Sequence, residues 1–297
     1  MPKASVVIAS KVGAPFLDQC LASVRDQARA VDAEVVVVTA GAPANAARVV
    51  AEFPWTRVIH APHLSRIPAL RRHGVEAAQG EYAAVIEEHC SAGEHWLATA
   101  LAAHSRGDYA AVGGPIVDFD YDRVPDWVVY FLEYNGALPP APGGETTDLN
   151  DANIVYRRDV LIAHVALLGE GYWPATLHPT LLAKGMKFLS VPDMVVHHRG
   201  PFPFGYYLRQ RYLFSRAFAG VRAESQGALK RWTYVVAAPL IPFFLLARIA
   251  ATVFRKRCRT GKFIAALPLL GPALVVLVAG EWVGYVLGPG DALSKVE

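Results

Sequence analysis

Short runs rich in β-branched residues alternate with helix-spaced stretches through the first 105 residues. Val6-Val7-Ile8-Ala9 has the composition of a strand buried on both faces. In Phe16 to Ala30, Phe16, Leu17, Cys20, Leu21 and Val24 fall on one helical face. Glu34 to Val38 reads as a second buried strand and Ala44 to Phe53 as a helix. Arg57 to His60 is a third strand. Pro68 to Gln79 is helical and closes at Gly80, a residue suited to the position after a helix. Tyr82 to Ile86 is a fourth strand and Glu94 to Ser105 a further helix. This alternation predicts βαβ units, hence an α/β chain with a mostly parallel sheet flanked by helices. Such sheets bind ligands at the carboxyl ends of their strands. The loops after Ala9, Val38 and Ile86 are therefore the places to look.

Residues 118–153 change character, being rich in Pro, Gly, Asp and aromatics. The stretch reads as an active-site insertion with a short helix from Trp127 to Glu133 and a loop at Pro139 to Gly144.

A net charge of +3 over 297 residues is too small to argue for nucleic acid. The basic residues cluster between Arg199 and Lys262, around apolar segments, a placement suited to anionic lipid headgroups. Cys20, Cys90 and Cys258 are far apart, which speaks against a disulfide framework or a zinc ribbon. The apolar stretch at the N-terminus is shorter than a signal-peptide core, so the first domain is expected to face the cytoplasm.

Several segments, taken in order, resemble a family 2 glycosyltransferase with the GT-A fold. Ser5 to Ser10 with Phe16 to Gln27 resembles that family's opening strand and helix. Leu70-Arg71-Arg72-His73-Gly74, with Ala78, Gly80 and Tyr82, resembles its third helix and fourth-strand entry. Val85-Ile86-Glu87-Glu88-His89-Cys90 stands where the family carries its acidic metal motif. Val112 to Pro115, Asn153 to Arg158, Leu177 to Gly185 and Pro192 to His198 resemble later segments.

The resemblance implies inverting sugar transfer from a nucleotide-sugar donor, aided by a divalent metal, Mn²⁺ or Mg²⁺. Carboxylates suit either ion and imidazole is acceptable to Mn²⁺. It places Glu88, His89 and His198 at the metal, and Ala9, Thr39, Arg71, Glu87 and Glu88 at the donor. Thr39 stands where the family commonly has an Asp. The usual base position reads Trp173-Pro174, and proline cannot accept a proton. Glu170, in Gly169-Glu170-Gly171, stands first as a substitute, with His178 and Asp151 as alternatives. An acceptor that needs no base, or an inactive chain, are the remaining explanations.

Trp232 to Phe254 and Phe263 to Leu287 are apolar runs close to the roughly 20 residues that span a bilayer. The expected division is therefore a glycosyltransferase domain over 1–230 and membrane-associated helices over 231–297. Two spans would leave the basic stretch Arg255 to Lys262 outside, against the positive-inside rule, with Arg248 at mid-depth. An interfacial or re-entrant first segment, a single crossing by the second, and a shallow hairpin all stay open. Each would hold the catalytic face near a lipid or lipid-linked acceptor. A silent relative that binds a nucleotide-sugar or a partner at the membrane is the competing class. A nucleotidyltransferase ranks last, because Ser10-Lys11-Val12-Gly13 lacks that class's Gly-rich, Lys-bearing loop.

Overall fold

The computed structural model describes residues 1–169, 171, 173–200, 203–225 and 227–296. Every side chain of β1 (Ala4–Ser10) is buried, as its unbroken apolar run requires. Helix α1 (Phe16–Ala30) buries Leu17, Cys20, Leu21, Val24 and Ala28, the spacing of one face. There follow β2 (Ala33–Thr39), α2 (Pro43–Glu52), β3 (Arg57–His60), α3 (Ile67–Ala77) and β4 (Tyr82–Ile86). Next come β5 (Cys90–Ala92), α4 (Trp96–His104), β6 (Tyr109–Gly113), β7 (Ile116–Asp118) and α5 (Val124–Glu133). Then β8 (Gly144–Thr146) and β9 (Asn153–Arg157) precede α6 (Arg158–Ala163), α7 (Val165–Leu168) and α8 (Trp173–Ala183). Strands β10 (Lys187–Ser190) and β11 (Val196–His198) lead to α9 (Phe204–Ser225), α10 (Ala228–Ala237), α11 (Ile241–Lys256) and α12 (Thr260–Leu287).

The main sheet has the order β3-β2-β1-β4-β9-β6-β10-β8. Strands β1 to β4 are mutually parallel, as are β6 and β10. The antiparallel members are β9, lodged between β4 and β6, and β8 at the edge. A smaller sheet runs β5-β11-β7. The mostly parallel sheet flanked by helices is the α/β architecture expected.

Boundaries shift where proline or glycine acts differently from the simple reading. Helix α2 starts at Pro43 and α5 at Val124, each with a proline in its first turn, where no backbone N–H is needed. Helix α3 ends at Ala77, before Gly80. Gly80 has another duty: a Cβ there would lie 2.4 Å from the carbonyl carbon of Ala4. Its N–H donates to Ser5 Oγ at 2.8 Å, which closes α3 onto β1.

The chain folds as two compact units, Met1–Phe119 with Gly136–Arg199, and Asp120–Asn135 with Gly200–Glu297. The expected boundary at 230/231 therefore runs inside the second unit. The stretch read as one insertion also divides, since α5 belongs to the second unit while β8 and β9 belong to the first. In the first unit a core behind the sheet joins Val7, Val85, Tyr156, Leu161, Trp173, Leu177 and Phe188. In the second, residues 228–256 and 260–287 are long and apolar enough to cross a membrane, with mean hydropathies of 1.9 and 2.3.

Candidate active site

The site lies in the first unit, on the turn that follows β4. Glu87 Oε2 accepts from His89 Nε2 at 2.9 Å and Glu87 Oε1 from Arg71 Nη2 at 3.0 Å. Arg71 comes from α3 and is only 2% exposed. Its other terminal nitrogen donates to Asp151 Oδ2 at 2.5 Å. One planar guanidinium thus holds two carboxylates, one after β4 and one before β9, as its fork of donors allows. The His89 ring stands edge-on to that of His198 with centroids 5.0 Å apart.

These contacts move the proton affinities apart. Burial would raise Glu87, but His89 and Arg71 beside it hold its carboxyl well below the usual range. Burial opposes charge on His89, and the Glu87 carboxylate overcomes it, so His89 is raised. Burial raises Asp151 despite its contact with Arg71. His198 is pushed down to about 3 by burial and by His89. Perturbed groups of opposite tendency, gathered at the carboxyl end of a strand, make this turn the candidate site.

Glu88 faces the other way. Its Oε2 accepts from Ser10 Oγ at 2.7 Å and from Gly13 N at 2.8 Å. Its Oε1 accepts from the backbone of Lys11 at 2.8 Å and of Val12 at 2.9 Å. Successive backbone N–H groups make a nest for an anion, and here a side chain of the protein fills it. Gly13 takes the positive φ that the turn needs, +78°. Glu88→Gln places an amide group among donors. It should lower stability by about 1–3 kcal/mol, read as a shifted urea midpoint at unchanged slope.

The other expected residues are placed as follows. Ala9 pairs with Val38 and Ser10 with Thr39 where β1 and β2 end. Thr39 is buried, and its Oγ1 accepts from Gly41 N at 3.1 Å. The structure does not bring His178 to this group. His178 shares a 2.6 Å hydrogen bond with the hydroxyl of Tyr156, which pairs with Ala83 toward the far end of β4 from Glu87. Burial lowers His178 to about 4. Glu170 lies outside the described residues. Trp173 is a core side chain, its Nε1 donating to Leu168 O at 2.9 Å.

Two features went unread in the sequence. Ligand atoms of Glu87, His89 and Cys90 all lie within 4.8 Å of one another, so Cys90 joins the group. Burial pushes its thiol well up, leaving carboxylate and imidazole as the better donors. Asn153 opens β9 with Nδ2 donating to Pro115 O at 2.9 Å and to Met194 O at 2.7 Å. Its Oδ1 accepts from Trp96 Nε1 at 2.8 Å, and Asp151 is two residues before it. A buried Asn at a strand start, next to an acidic residue, was the available signal.

The strand order, the antiparallel β9 beside β4 and the charged turn at the carboxyl end of β4 accord with a glycosyltransferase of the GT-A type. It belongs to glycosyl transferase family 2, whose model matches residues 5–164, more than half of the chain. No curated protein matches the sequence.

Proposed function

We propose that the protein transfers a sugar, with inversion, from a nucleoside diphosphate-sugar to a hydroxyl of a lipid or lipid-linked acceptor at a membrane. The observation that carries this reading is the Glu87–His89 pair at the end of β4, tied through Arg71 to Asp151. One carboxylate and one imidazole fit a divalent cation, with Mn²⁺ the better match to the nitrogen ligand. When bound, the cation neutralises charge growing on the leaving diphosphate.

The protein's own residues do the rest. Glu87 and His89 would hold that cation at the carboxyl end of β4, on the side where the diphosphate of the donor enters. Thr39 offers its hydroxyl to the nucleoside, beside the backbone of Ala9. Glu88, with both oxygens engaged by residues 10–13, positions that loop over the donor. His198 backs the ring of His89. Asp151, buried and raised in proton affinity, takes the proton of the acceptor hydroxyl as that oxygen bonds to the sugar's anomeric carbon. The bond from that carbon to the diphosphate oxygen breaks on the opposite face. Membrane attachment rests on the two apolar helices, and the catalytic unit faces the cytoplasm, where activated sugars are made.

Calorimetric titration with UDP and with GDP, with and without Mn²⁺, tests the donor site. Mn²⁺-dependent binding of one of them is expected. His89→Ala should weaken it by about 100-fold or more, since even outer-shell partners of a metal are worth roughly 10–100-fold. Affinity unchanged in His89→Ala and in Glu87→Ala would remove the cation assignment. A silent relative is the second reading, favoured by the core packing of Trp173 where the family places its base. Nucleotide binding without turnover on any membrane lipid extract would select it.

A further inference from the structure

Helix α12 carries a stripe of buried residues along its whole length, including Phe263, Leu270, Leu274, Leu277, Gly280 and Gly284. The opposite stripe is exposed and apolar, with Ile264, Val275 and Trp282 along it. The buried stripe rests on two other elements of the same unit. At its start, Phe263 meets Phe131 of α5 edge-on with centroids 5.4 Å apart. Arg259, just before α12, pairs with Asp120 at 2.7 Å. Toward its end α12 lies on α9. A Cβ on Gly280 or on Gly284 would come within 2.4 Å of the carbonyl oxygen of Tyr212 or Arg216. Small residues allow this close approach of backbones.

Helices α5 and α9 are themselves joined. Glu133 accepts from Tyr207 Oη and from Arg211 Nη1, each at 2.6 Å. They form one support for the buried stripe of α12, with a charged pair inside it. If α12 crossed a bilayer, it would draw the Glu133–Arg211 pair and the Arg222–Glu281 pair toward hydrocarbon, where charge is costly.

The run 228–256 is the counterpart, with only 11% of its most apolar window buried. Leu229, Trp232, Val236, Leu240, Phe243 and Phe254 are exposed at helical spacing along one side. An apolar groove of about 490 Å³, lined by Pro242, Leu246, Leu274, Val278 and Trp282 among others, joins this side to the exposed stripe of α12. Lys230, Arg248 and Arg255 are exposed beside the apolar side, and Lys262 at the turn. An apolar face with cationic flanks is the pattern of a helix lying in the membrane interface.

We propose that α10, α11 and α12 lie in the plane of one leaflet of a membrane containing anionic phospholipid, without crossing it. The basic turn Arg255 to Lys262 then stays on the side of the catalytic unit. Arg259 is held by Asp120, which one peptide bond joins to Phe119 of that unit. This rests on the membrane attachment of the proposed function.

The test uses the full-length protein in sealed, inverted membrane vesicles of the expressing cell. Cys258→Ala serves as background, because Cys258 lies in the turn under test; Cys20 and Cys90 are buried in the first unit. Arg255→Cys, Asp291→Cys and Ser105→Cys are added singly, and a membrane-impermeant maleimide is applied. Equal labelling of all three before detergent is expected. Labelling of Ser105→Cys at once, but of Arg255→Cys or Asp291→Cys only after detergent, would overturn the in-plane arrangement and leave attachment standing. A protein that does not float with the vesicles would sink attachment itself. Flotation with vesicles of pure phosphatidylcholine should be about tenfold weaker than with added phosphatidylglycerol. Equal flotation with both would remove the anionic headgroup from the proposal.

Discussion

Asp151→Asn should lower turnover by about 10²–10⁴-fold, the usual contribution of a positioned general base, with nucleotide affinity held. Asn keeps a carbonyl oxygen to accept from Arg71 Nη1, so the guanidinium stays in place. It cannot take a proton. The split matters: lost turnover at constant nucleotide affinity places Asp151 on the acceptor's proton. Parallel loss of both would assign it to holding Arg71 alone. Wild-type turnover in Asp151→Asn would return the role to Glu170 or to an acceptor that needs no base.

The largest expected effect on stability belongs to Arg71→Ala. The side chain is buried, and its removal leaves Glu87 and Asp151 facing each other without their shared cation. Removing one partner of a buried ion pair costs about 3–5 kcal/mol, and here two carboxylates lose the shared donor, Glu87 keeping His89. Arg71→Lys should recover only part of this, because a single ammonium cannot reproduce the fork. Thermal and urea unfolding of the three proteins read the effect directly. A loss below about 1 kcal/mol in Arg71→Ala would mean that the carboxylates find other donors.

Strands β1, β2 and β4 were legible because burial on both faces demands runs such as Val35-Val36-Val37-Val38, whereas the three-residue β5, β7 and β8 carry no such run. The turn Glu87-Glu88-His89 was singled out by the family resemblance of its flanks, because a solvated acidic turn after a strand has the same letters. Its internal division of labour was not legible. A carboxylate that caps backbone N–H groups has the same letter as one that binds a cation. The partners of Glu88 are three peptide groups and a Ser hydroxyl, which side-chain patterns barely encode. His178 misled for the opposite reason. An imidazole in an apolar helix looks like a reagent, yet in this fold it completes the hydrogen bonding of Tyr156 in the core. Asp151 was visible as an alternative, but its tie to Arg71 spans 80 residues and appears only once β9 is inserted beside β4.

The passage of the chain through α5 has a practical and an evolutionary meaning. The segment Asp120–Asn135 leaves the catalytic unit and returns to it, carrying Trp127 and Phe131 to the company of Phe263 and Lys262. The second unit is therefore not a tail added to a finished enzyme. Cutting at residue 199 or at 230 would strip Phe131 of its partner Phe263 and expose an apolar helix in the middle of what remained. A soluble catalytic fragment requires replacing α5 as well as shortening the end. By the same logic, descent from a free-standing ancestor calls for two coordinated changes, one internal and one terminal, rather than a single fusion.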